Sequence, residues 1–336
     1  MNKRIEYLDI AKGILIITVI LSHSPFEYAQ YMYWFHMPAF FIISGLLYRD
    51  GINFKTQFLK FYIPYICFSA IDIIFDFLIS PDMISLSNFI QSFNNHIYSG
   101  KAAWGVFWFI PVLLISKFIF SKLKTHFKTP YVVAIIAIGY IAAHIYSMKV
   151  IPNQITDITD RYWYPLDIDV VPIAIAYYSI GFYSKNILQY LVTKSAMIIS
   201  GIMCFILFHI NSTQNIYYYM NIKDSYFKSI QWDLIYPLCF TIFILAFSNN
   251  LYNGRLKRFL NYCGKNSLII MYLHRPVGNL LLDKIPSLGW VSFTVAGLSF
   301  ALLFTYVIDK HNITKTLFKG ILPEGGLHLS LSNSHS

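Results

Sequence analysis

The sequence predicts an all-α fold, a polytopic transmembrane helix bundle of about ten spans with both termini cytoplasmic. Three observations carry this reading. Of 336 residues, 56% are hydrophobic and only 12% charged, with a mean hydropathy of +0.52; soluble domains carry about 25% charged residues. Apolar runs of the length a bilayer requires, roughly 17–25 residues, recur along the whole chain. With the N-terminus inside, 19 of the 26 Lys and Arg residues fall on one side of these runs, as the positive-inside rule demands.

The expected spans centre on 9–26, 32–48, 61–79, 105–121, 131–148, 169–184, 195–210, 232–248, 266–282 and 288–308. Longer, polar connections at 80–101, 149–167 and 211–231 face outward. Residues 1–322 form one transmembrane domain, and 323–336 form a polar, disordered tail. The net charge of +10 sits in short loops between apolar runs, which argues for membrane topology and against nucleic acid as a partner. The four cysteines are scattered without a C-x-x-C pair, so neither a metal site nor a disulfide framework is expected. Asp9 and Lys12 interrupt the first run, which therefore does not read as a cleavable signal.

Within the first span, Lys12 and His23 are eleven positions apart. At 100° per residue that is about three whole turns, so both side chains share a face, about 16 Å apart along the axis. His36 lies one to two turns into the second span and His274 about 13 Å along the ninth, which puts three histidines at similar depth in the outer half. Ionisable residues at such depth mark functional sites, and a neutral imidazole is suited to take a proton from a hydroxyl. The plainer alternative for each histidine is a polar contact between helices. For Lys12 the alternative is snorkelling to headgroups, with Asp9 three residues earlier as a partner. Its functional reading is a cation that receives an anionic, phosphate-bearing ligand from the cytoplasm, with Lys60, Arg49 and Lys55 on the same side. Asp72 and Asp76 share a face at i and i+4 and serve either to orient an imidazole or acceptor, or to pair with a neighbouring helix. His144 and His209 read as structural. A polytopic carrier or exporter of a lipid-linked sugar or small solute would also use intramembrane His and Asp, although no internal repeat is present.

Four segments carry a resemblance. Tyr7-Leu8-Asp9-Ile10-Ala11-Lys12-Gly13 with His23, Phe35-His36-Met37-Pro38 through Phe41-Ile42-Ile43-Ser44-Gly45, Trp108-Phe109, and Gly264-Lys265-Asn266-Ser267-Leu268 through His274 resemble, in order, the acyltransferase 3 family of integral-membrane acyltransferases. The His-Met-Pro variant is similar to its fucose 4-O-acetylase-like branch. The resemblance covers about residues 4 to 310. It implies transfer of an acyl group, usually acetyl from acetyl-CoA, to a hydroxyl of an envelope polysaccharide or its lipid-linked precursor at a bacterial inner membrane, with acyl-CoA, a glycan acceptor and the lipid bilayer as partners. It puts His23 in the place of the essential histidine and Lys12 in that of a basic residue ahead of it. Of an Arg-x-x-Arg pattern leading into the third span only Lys60 remains. On this reading Lys12, Lys60, Arg49 and Trp108 bind the donor, and His23 is the base. His36, Ser44 and Trp108 are candidates for meeting the oxyanion. Asp9, Ser44, Asp72, Asp76 and His274 are substrate or orienting residues, with His274 set to orient either the acceptor or His23.

Overall fold

The computed structural model describes residues 5–322 except 52, 102–105, 153–162 and 214–217. The expected tail at 323–336 lies outside the described residues. The chain forms, in order, α1 (Glu6–His23), α2 (Ala29–Met32), α3 (His36–Leu46), α4 (Phe54–Ile79), α5 (Leu86–Tyr98), α6 (Phe109–His126), α7 (Thr129–Val150), α8 (Val171–Tyr183), α9 (Leu188–Leu191), α10 (Lys194–Ser212), α11 (Trp232–Asn250), α12 (Arg255–Lys265), α13 (Ser267–Lys284), α14 (Trp290–Ile308) and α15 (Asn312–Lys319). Among the described residues there is no strand, only a single antiparallel bridge between Asn221 and Tyr226.

Each of the ten apolar segments contains a helix, but six helical stretches are long and apolar enough to cross a membrane: 54–79, 129–150, 165–191, 194–212, 232–250 and 290–308. The helices at the remaining four segments differ for identifiable reasons. α3 has only 11 residues, about 16 Å. It is walled in by α1, α8 and α11, so it need not match the thickness of the hydrocarbon. α1, α6 and α13 each carry three charges in 18 residues: Glu6, Asp9 and Lys12; Lys117, Lys122 and Lys124; and Arg275, Asp283 and Lys284. These helices carry most of the segments that resemble the family.

α1 is the hub, packing on α2, α3, α11, α12, α13 and α14. The stretch 80–101, expected to be a loop, instead contains α5. Its apolar residues Leu86, Phe89, Ile90, Phe93 and Ile97 recur at helical spacing, a pattern too short and too polar overall to register as a span. Ser85 caps it, accepting from Asn88 N at 3.1 Å. α12 and α15 are likewise short amphipathic helices, set against α1 and α4 respectively.

Candidate functional site

The site begins where α12 presses against α1. A Cβ on Gly13 would overlap the Leu260 carbonyl, and one on Gly264 would overlap that of Asp9. Two motif residues, far apart in sequence, are therefore glycine because two helix backbones touch there. Asp9 is buried, and its carboxylate holds Lys12 Nζ at 2.7 Å. Lys12 stays partly exposed and lines a cavity of about 780 Å3, open mouth included. The walls are mostly apolar, from Ile16, Val19, Phe40, Phe109 and Leu268, with Ser44 and Ser267 as polar points. Leu268 also lines an adjoining cavity that carries Lys265 and Lys319.

At the other end of α1, His23 Nδ1 lies 3.1 Å from His274 Nε2. His274 Nδ1 lies 2.9 Å from the Ile270 carbonyl, which can only accept. In the neutral ring the proton of His274 is therefore on Nδ1, and its Nε2 offers a lone pair. His23 must then donate from Nδ1, which leaves its Nε2 as the basic atom. His36 bonds the Met32 carbonyl through Nδ1, so its Nε2 also carries a lone pair when neutral. His274 and His36 are buried, whereas His23 is partly accessible. His23 and His36 line a second cavity of about 700 Å3, again with its mouth. Its lining is more polar: Tyr33, Trp108, Asn221, Lys223, Asp224 and Arg275 join the histidines.

The two cavities share Met37 and Val106. Lys12 stands on one side of that pair of side chains and His23 on the other. The helical face predicted from spacing thus runs along two cavities that have these two buried side chains as a common wall.

The remaining candidates distribute unevenly. Ser44 lines the Lys12 cavity, and its hydroxyl donates to Phe40 O at 2.7 Å. Trp108 lines the His23 cavity, at the opposite end from Lys12. Lys60 and Arg49 are exposed and line neither cavity. The backbone of Lys60 is instead packed against Gly320. Asp72 is buried and 3.0 Å from His96 Nε2 of α5. Asp76, one turn on, is exposed. His144 is buried against Asp233 at 3.0 Å, tying α7 to α11. His209 is exposed, with its ring stacked on Phe205. Lys223, Asp224 and Arg275 were not among the residues singled out from the sequence. Only their position among the outer charges pointed to them. Among the described residues no cluster of His, Cys, Asp or Glu could hold a metal ion.

A family model described as an acyltransferase domain matches residues 5–310. No match was found among curated proteins or among solved structures.

Proposed function

The chain belongs to the acyltransferase 3 family, and on that premise we propose that it moves an acyl group, acetyl by preference, from acyl-CoA to a hydroxyl of an envelope polysaccharide or its lipid-linked precursor. The observation that carries this is that the Lys12 cavity and the His23 cavity lie back to back, with Met37 and Val106 lining both. It supports a donor that enters at Lys12 and extends its reactive end to His23, and it gives the shared face of the two residues a purpose that snorkelling does not require. The ten apolar segments then lie in a bacterial inner membrane with both termini cytoplasmic, and Lys12 faces the side where CoA is available. The His-Met-Pro segment at residues 36–38 supports the fucose 4-O-acetylase-like branch.

Lys12, with Lys265 in the adjoining cavity, meets the phosphates as point charges. The apolar wall accepts the pantetheine arm. At the far end His23 Nε2 takes the proton of the acceptor hydroxyl as its oxygen bonds to the thioester carbon. The tetrahedral oxyanion collapses, the carbon–sulfur bond breaks, and the proton passes from His23 to the departing thiolate. His274 keeps His23 in the productive tautomer by accepting from Nδ1. The oxyanion needs a donor. Ser44 has committed its hydrogen, and neutral His36 offers a lone pair, so Trp108, whose indole is a donor only, is the better placed of the three. His36 serves as an acceptor for a second hydroxyl.

The test uses purified protein in nanodiscs with labelled acetyl-CoA and an envelope glycan. His23→Ala should reduce label transfer by about 10²- to 10⁴-fold, the range for loss of a general base, with CoA still bound. Lys12→Ala should weaken CoA binding. Wild-type transfer by inserted His23→Ala protein would sink the base assignment. Transport of solute without consumption of thioester would identify a carrier.

A further inference from the structure

The chamber of His23 is lined by two cations that come from different parts of the chain. Six described cations fall on the outer side by the sequence topology: Lys101, Lys149, Lys223, Lys228, Arg275 and Lys284. Of these, Lys223 and Arg275 line the cavity of His23. Among the described residues Asp224 is the one carboxylate on that wall, and it receives Asn221 Nδ2 at 2.7 Å.

Lys223 is also held in place. Asn221 and Tyr226 exchange backbone hydrogen bonds of 2.8 and 2.9 Å, closing a short hairpin around it. Ser225 in that hairpin has φ of 56°, and its buried hydroxyl joins the buried Lys101–Asp169 ion pair, 3.1 Å from Lys101 Nζ. Phe227 N donates to Ser147 Oγ at 3.0 Å. A buried ion pair is a costly way to fasten a surface turn unless the position of that turn matters. Here it fastens a lysine to the wall of a chamber that His23 also lines.

We propose that Lys223 and Arg275 recognise an anionic group on the acceptor, so that the substrate class is an acidic glycan: a sugar bearing a carboxylate or a phosphate near the acylated hydroxyl. This rests on the acyl-transfer reading above. Lys223 and Arg275 are specificity residues in it. Arg275 supplies a fork that fits either anion, and Lys223 a point charge. Two fixed cations within the cavity of His23 would set which hydroxyl reaches it.

The experiment measures acetyl transfer from labelled acetyl-CoA to three small probes: methyl glucoside, methyl glucuronide and glucose 1-phosphate. Release of free CoA is followed in parallel. The expected result is a kcat/KM at least about tenfold higher for one or both anionic probes than for methyl glucoside, the scale of one hydrogen bond to a charged group. Lys223→Gln and Arg275→Gln should bring that ratio towards one, and Lys223→Arg should retain it. Preference for the glucuronide points to a uronic acid polymer, and preference for the phosphate to a phosphorylated or lipid-phosphate-linked sugar. Equal transfer to all three probes would overturn the acidic acceptor and leave acyl transfer intact, as would a preference that survives both Gln variants. Absence of CoA release with every probe, by protein that also fails to bind CoA, would overturn acyl transfer itself and this proposal with it.

Discussion

His23 of α1 donates from Nδ1 to Nε2 of His274 on α13 across 3.1 Å, and His274 is in turn fixed by the Ile270 carbonyl at 2.9 Å. The arrangement sets the tautomer of the more accessible ring through the buried one. On the proposed mechanism its logic is that of a base oriented by a third group, although here the third group is a neutral imidazole and not a carboxylate. His274→Ala should therefore lower kcat by about 10²-fold, at the lower end of general-base contributions, with the KM for donor within about twofold. His274→Gln, whose amide oxygen can accept from Nδ1, should recover part of the loss. Steady-state kinetics check both, and a change confined to KM would contradict an orienting role.

The constriction offers a second test. Met37 is buried at the meeting of the two cavities. Met37→Trp should fill the junction and cut transfer by about 10²-fold or more, the scale on which a misplaced reactive group is felt. CoA affinity, measured by calorimetry, should stay near wild type. Met37→Leu conserves volume and should be close to neutral. Unimpaired turnover in the Trp variant would mean that donor and base do not communicate by this route.

The contact between α1 and α12 is a matter of backbone proximity. Gly264→Ala drives a methyl group into the Asp9 carbonyl and should cost about 1–3 kcal/mol, the range for overpacking. Because Asp9 carries Lys12, the same change should weaken CoA binding. Gly254→Ala, with nothing near its Cβ position, should remain within about 0.5 kcal/mol. Thermal unfolding in detergent compares the two.

A structural histidine should behave differently from a catalytic one. His144→Ala leaves the buried Asp233 carboxylate with one fewer partner, although Ser229 N still donates to it at 3.0 Å. The loss should be about 1–3 kcal/mol, read as a lower unfolding temperature. kcat/KM of the folded protein should be unchanged. A kinetic defect without a stability defect would move His144 into the site.

Which parts of this were legible in the sequence can be argued from particular residues. That Lys12 and His23 share a face follows from helical geometry alone, and the two do line successive cavities. That His23, His36 and His274 lie at similar depth follows from span order, since antiparallel neighbours joined by a short link must match in level. Helical spacing in 86–98 was equally available, but a search for membrane-length runs passes over a 13-residue amphipathic helix. With α5 went the partner of Asp72, because His96 reaches it only once that helix folds back on α4.

Composition and periodicity determined the class of the protein: helical, apolar and built around one polar stripe on the first helix. Both are local properties, set by side-chain transfer energies and by 3.6 residues per turn. The tertiary structure alone decided which atoms meet. The hydrogen bond from His23 to His274 joins residues 251 positions apart. The Gly13–Gly264 approach likewise links two distant helices, and the hairpin that brings Lys223 into the chamber is held by residues from three separate segments. No period in the chain encodes such pairings, because they depend on how close two backbones can come and on which buried polar groups must satisfy one another. The charge of Lys60 and Arg49 was plain in the sequence, but their distance from the Lys12 cavity became visible only after the helices were packed.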